Sequence, residues 1–175
     1  MKALVFCLAV AACSAGTAAK NGMPRMAAIP STEGYGKEVA EGLQRVRAST
    51  ARFVQLDSAV AAGYARDVHE CLSAPAGGMG FHHMNRSYLD THLEVEHPEI
   101  LLFERERNGT YALNGVEYIV PYRVWPKDSI PPTIMGQSLR RADELNLWYL
   151  HMWAWKSNPN GLFANWNPKV HCEKA

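Results

Sequence analysis

Ile100-Leu101-Leu102-Phe103-Glu104-Arg105-Glu106-Arg107-Asn108-Gly109-Thr110-Tyr111-Ala112-Leu113-Asn114-Gly115-Val116-Glu117-Tyr118-Ile119-Val120-Pro121 is the stretch from which the architecture can be built. Two strand-like runs, Ile100 to Arg105 and Tyr111 to Pro121, are joined through Asn108-Gly109. That dipeptide tolerates the positive φ angles of a tight hairpin turn, so the two runs should pair antiparallel. Downstream, Tyr122 to Pro132 carries three prolines and should be irregular, and Met135 to Asn146 is mixed, with Asp143-Glu144 on a loop. Leu147 to Trp155 then reads as a long aromatic-rich strand. Asn158-Pro159-Asn160-Gly161 and Asn167-Pro168 are turns flanking Leu162 to Trp166.

Upstream of the hairpin, His97-Pro98-Glu99 marks a boundary, because the residue before proline is pushed out of the helical region. Cys71 to Gly80 reads as loop, and Met79 to Met84 as a short strand entered through Gly77-Gly78-Met79-Gly80. Lys37 to about Tyr64 is helical. Val39, Leu43 and Val46, then Phe53, Leu56 and Val60, recur at three- or four-residue spacing, with Ser49-Thr50 as a break and Gly63 as a stop. Helices followed by at least four short strands, without βαβ alternation, predict an α+β domain: N-terminal helices packed on one antiparallel sheet.

The N-terminus reads differently. Met1-Lys2, an apolar run from Ala3 to Ala12 too short to span a bilayer, and the small residues to Ala19 have the layout of a secretory signal peptide over 1–19. Val10-Ala11-Ala12-Cys13 offers the alternative of a lipoprotein acylated at Cys13. Residues 20–36, rich in Pro, Gly, Ser and Ala, read as a flexible leader, leaving 37–175 as a single domain. Either route of export places the mature chain in a secreted or periplasmic setting. There the even pair Cys71 and Cys172 suggests one disulfide, with shared metal ligation as the competing reading. With 47% hydrophobic residues, 20% charged residues and a formal net charge of +1, the chain is neither disordered nor a nucleic-acid binder by composition, and the mature part holds no transmembrane segment.

Strand parity sorts the residues able to carry chemistry. On Met79 to Asn85, His82 shares a face with Gly80 and Met84, and His83 takes the other, so one imidazole of the pair faces any given pocket. Glu117 sits in the apolar run Val116 to Val120, where a carboxylate is costly to bury without a cation, a metal or a protonated partner. His151 is likewise a polar group among Leu147, Tyr149, Trp153 and Trp155. His82, Glu117 and His151 from three strands would form a triad for iron, manganese, zinc or copper with open positions. The alternative is a structural pair in which a buried histidine hydrogen-bonds a glutamate. Asn85 and Asp90 either support the ligands through hydrogen bonds or cap the turn. Tyr149, Trp153 and Trp155, with Trp148 and Trp166, either hold a small-molecule ligand by stacking or belong to the core. Glu104 is a weaker fourth ligand at a strand end expected to face solvent. His92 and His97, among Glu94, Glu96 and Glu99, read as a solvated acidic stretch.

The pieces Ala62-Gly63-Tyr64, Gly78-Met79-Gly80-Phe81-His82 with Asn85, Val116-Glu117-Tyr118-Ile119-Val120-Pro121, Leu150-His151-Met152-Trp153-Ala154-Trp155-Lys156 and Trp166-Asn167-Pro168 resemble a family of uncharacterised bacterial secreted or periplasmic proteins. Cys71 and Cys172 fit that pattern, and His82 matches it where His83 does not. Residues 135–146 are shorter and more charged than the pattern. The resemblance carries over no activity. Two functional expectations stand: an extracytoplasmic metal-binding protein, as an enzyme acting on a small molecule, or a non-enzymatic ligand-binding or envelope-associated protein with an aromatic-lined pocket.

Overall fold

The computed structural model describes residues 28–66 and 70–172. The expected signal peptide, the acylation alternative at Cys13 and the first part of the leader, residues 20–27, lie outside them. The rest of that leader rests on the domain: Pro30 is buried, and Tyr35 meets Phe163 edge-on at 5.3 Å between ring centroids.

Helix α1 (Lys37–Thr50) buries Val39, Gly42, Leu43, Val46, Arg47 and Thr50. This is the three- and four-residue spacing that gives a helix one inward face. Thr50 ends it: its hydroxyl donates to the Val46 carbonyl at 2.6 Å, and the chain tightens into a 3-10 turn over Ala51–Phe53. Helix α2 (Leu56–Ala61) follows, and the expected break and stop are both present.

Strands β1 (Ala65–Arg66), β2 (Leu72–Ala74), β3 (Gly77–Met84), β4 (Ile100–Arg105) and β5 (Tyr111–Pro121) come next, and the hairpin strands end where the sequence placed them. A small hairpin, β6 (Thr133–Ile134) and β7 (Gln137–Ser138), turns through Met135 and Gly136, both at positive φ, and lays the Met135 side chain over Gly42 of α1. β8 (Arg140–Ala142) and β9 (Leu147–Met152) complete the main sheet. Its seven strands run β1-β3-β4-β5-β9-β8, with β2 also on β3, and every pairing is antiparallel. The architecture is α+β, as expected.

Alternation along the strands gives the sheet two unlike faces. Leu101, Phe103, Val116, Tyr118, Val120, Trp148, Leu150 and Met152 belong to the large core shared with α1 and α2. Met84, Ile100, Leu102 and Ile119 form a smaller apolar patch on the other face. The β4–β5 register shifts after Leu102, leaving Asn114 as a bulge residue between Leu113 and Gly115. The Asn114 carbonyl accepts from both Trp155 and Lys156 backbone N–H groups. That bond set explains a correction: β9 ends at Met152 rather than at Trp155, because Trp153 donates to Leu162 and the chain swings onto the bulge.

The C-terminal segment crosses β3 and is bonded to it at Gly78 and Asn167 in both directions. Gly77 has φ 130°, and a Cβ there would collide with the Asn167 carbonyl. Only glycine admits that crossing. The Cys71–Cys172 disulfide, spanning 101 residues of sequence, holds the crossing in place.

Candidate metal centre

Three strands deliver one polar cluster to the smaller apolar face. Glu117 on β5 stands directly opposite Ile100 on β4 and His151 on β9. His82 on β3 stands opposite Leu102, one pair further along the same face, which sets it diagonally across β4 from Glu117. Gly80 sits within this strand two residues before His82: at φ 94°, any side chain there would also meet the Phe103 carbonyl. The cluster is therefore fixed by ladder register and not by a flexible loop.

The three ligand atoms converge. His151 Nε2 lies 3.0 Å from Glu117 Oε1, and His82 Nε2 lies 3.4 Å from Glu117 Oε2. One donor atom from each of the three residues lies within 4.8 Å of the others, and all three residues are buried. His151 is 1% exposed, and its Nδ1 makes no hydrogen bond to any described residue. Packing orients the His151 ring, with Tyr149 and Trp153 edge-on at 5.7 and 6.4 Å between centroids. Its Nδ1 lacks the carbonyl or carboxylate partner that commonly holds a ligating imidazole.

Burial alone would push the Glu117 carboxyl up. The charge of His151, a hydrogen bond from its ring and the charge of His82 outweigh it, so the group is held below the usual carboxylate range. The centre therefore presents an ionised oxygen donor beside two imidazoles, a set that fits zinc and the divalent first-row metals.

A cleft of about 470 Å³ opens over the cluster, with His82, Glu117 and His151 in its wall. Its other lining is mainly apolar, from Met79, Met84, Ile119, Leu147 and Trp166, with Tyr149 and Asn165 as polar groups. Trp166 was among the tryptophans expected to stack a ligand and does line the cleft; Asn165 was not singled out in the sequence, since it lies in a tail without strand periodicity and reaches the cleft because that tail crosses β3.

The remaining expected site residues go elsewhere. Asn85 caps the turn after β3: its carbonyl oxygen accepts from the Ser87 amide and hydroxyl, and its Nδ2 donates to Ala62. Asp90 accepts from the His92 amide on an exposed turn and is not among the residues lining the cleft. Trp153 is buried and donates to the Ala164 carbonyl. Trp155 lies on the helix side, donating to the Thr50 hydroxyl with the Arg47 guanidinium stacked on its ring at 4.3 Å. Of the aromatic residues expected to hold a ligand, Tyr149 and Trp166 line the cleft, and Trp148, Trp153 and Trp155 lie outside its wall. His83 points to the opposite face against Phe103.

Two glutamates differ from expectation. Glu104 is 5% exposed, is paired with Lys156 and accepts from the His171 amide, so it anchors the C-terminal segment and is not solvent-facing. Glu99 is 1% exposed and accepts from the Ile119 amide at 3.1 Å, whereas its neighbours Glu94 and Glu96 pair at the surface with His97 and Arg45.

Comparison of the chain with family models, with curated proteins and with solved structures found no match.

Proposed function

We propose that this chain is an extracytoplasmic metal-binding protein whose His82, Glu117 and His151 hold one divalent ion in the wall of an apolar cleft. The observation that carries the reading is the convergence of the three buried ligand atoms within 4.8 Å of one another. The second imidazole, with His82 Nε2 3.4 Å from the other carboxylate oxygen, favours a shared ion over a structural histidine–glutamate pair, which needs only one histidine. Three protein donors are one fewer than a closed tetrahedral site uses, and such sites keep a position for water or substrate. An ion held there polarises an oxygen of a small substrate or activates water, which is the enzymatic form of the reading.

Export is supported by the charged, apolar and small-residue sequence of 1–19 and by the Cys71–Cys172 bond, since disulfides persist in oxidising compartments. Among the described residues no helix is long and apolar enough to cross a membrane. The motif resemblance to bacterial exported proteins points the same way.

Elemental analysis of protein purified without a polyhistidine tag tests the reading. About one metal equivalent per chain is expected, falling below about a tenth in His82→Ala and His151→Ala. A metal-free native protein, or variants that keep the ion, would leave the second reading: a ligand-binding cleft whose histidines act as hydrogen-bond donors.

A further inference from the structure

The cleft's polar groups are few and are ordered in a way that assigns a hydrogen-bond direction. Arg140 on β8 is the register partner of Tyr149 on β9. Its Nη1 donates to Asn165 Oδ1 at 2.6 Å. A guanidinium only donates, so that amide oxygen is the acceptor and the orientation of Asn165 is fixed. Asn165 Nδ2 therefore donates to the Tyr149 hydroxyl oxygen, at 2.7 Å. With an oxygen lone pair so occupied, the Tyr149 O–H proton is left as a donor, and among the described residues it has no protein acceptor. Tyr149 lies two residues from His151 on the same strand face, and both line the cleft.

The remainder of the wall sets the body of the ligand. Outside the His82, Glu117 and His151 cluster the lining carries no ionisable group except the Tyr149 phenol, and Met79, Ile119, Leu147 and Trp166 supply apolar surface. A volume of about 470 Å³ suits a small organic molecule and falls within the usual range for such pockets.

We infer that the cleft takes an apolar-bodied small molecule bearing one oxygen-donor head group, seated between the His82/Glu117/His151 centre and the Tyr149 hydroxyl, which donates a hydrogen bond to it. This rests on the metal reading above. Arg140 and Asn165 act as positioning residues through Tyr149, and the selectivity lies in the apolar wall.

Cobalt-substituted protein, read by its visible ligand-field bands, separates the two claims. Benzohydroxamate and acetohydroxamate serve as probes because they share a head group and differ in the apolar body. Benzohydroxamate is expected to bind at least about tenfold more tightly, since apolar groups filling such a wall are worth about that or more. Tyr149→Phe, which keeps the ring, should leave the cobalt bands of the unliganded protein unchanged and weaken benzohydroxamate by about tenfold, the value of one hydrogen bond in a site of this kind. Asn165→Ala should weaken it by a smaller factor, and in a Tyr149→Phe background it should add nothing further. Equal affinity for the two probes would overturn the apolar-body assignment. Unchanged affinity in Tyr149→Phe would overturn the donor assignment. Absence of cobalt bands in the native protein would overturn the metal reading and this inference with it, an outcome distinct from the other two.

Discussion

Replacing Glu99 with glutamine should flatten the pH dependence of stability. Glu99 is 1% exposed, and burial first, with smaller pushes from the Asp90 and Glu117 charges, raises its carboxyl to about 8 from the ordinary 4.5. Bonds from its own amide and that of Ile119 pull the other way without cancelling the burial. Below pH 4.5 the folded and unfolded chains both carry the proton. Between there and about pH 8 only the folded chain keeps it, so unfolding releases a proton and rising pH favours the unfolded state. The slope is about 1.4 kcal/mol per pH unit, which accumulates to roughly 5 kcal/mol over the window and then levels off. Glutamine retains the oxygen that accepts from Ile119 and has no proton to lose. Urea unfolding of wild type and Glu99→Gln from pH 4 to 9, with chelator present to remove metal linkage, measures the difference between the two curves. That difference should favour the variant increasingly from about pH 5 to about pH 8. Parallel curves across this range would refute the claim that Glu99 is neutral in the folded protein.

Three further outcomes follow from the packing. Changing both Cys71 and Cys172 to serine should cost about 4 to 5 kcal/mol by the loop-entropy argument, given the 101-residue separation, and urea unfolding at pH 7 measures it. Gly80→Ala should destabilise by about 1–3 kcal/mol or more, because its φ of 94° and the facing Phe103 carbonyl both oppose a side chain; the same denaturation assay reads it. His83→Leu should change stability by no more than about 1 kcal/mol, because burial first pushes the His83 imidazole below its ordinary range and leaves only a backbone contact with Tyr64 to lose. Metal content, measured in the same preparation, should be unaffected by that substitution.

How much of this was legible in the sequence depended on whether a feature is set locally. The hairpin was, because Asn108-Gly109 and the flanking β-prone runs fix both strands and their pairing. The triad was legible in part: alternation gave each residue its face on its own strand and the apolar surroundings of Glu117 and His151 called for partners, but the ladder register that puts His82, Glu117 and His151 on one shared face is tertiary. The same rule failed at Trp153 and Trp155 because the strand ends at Met152, where the Asn114 bulge captures the chain through backbone bonds that no side-chain pattern announces. Glu99 and Glu104 were misread for a related reason. Each looks like one more charge in a charged run, and what buries each is a distant segment: the end of β5 over Glu99, and the C-terminal crossing over Glu104. Strands of two or three residues, such as β1, β6 and β7, carry too few side chains for a period and exist through pairing alone. Asn165 and Trp166 enter the cleft by the route that the disulfide and Gly77 permit, which is a tertiary fact.

The central claim is that two imidazoles and a carboxylate share one ion, and anomalous X-ray scattering from a crystal of untagged protein tests it most directly. Data collected on either side of the absorption edge of the metal found in solution should give one strong peak per chain, with His82 Nε2, His151 Nε2 and a Glu117 carboxylate oxygen each about 2.0–2.2 Å away. An empty centre in metal-replete crystals, with His151 and Glu117 joined by a direct hydrogen bond, would contradict it.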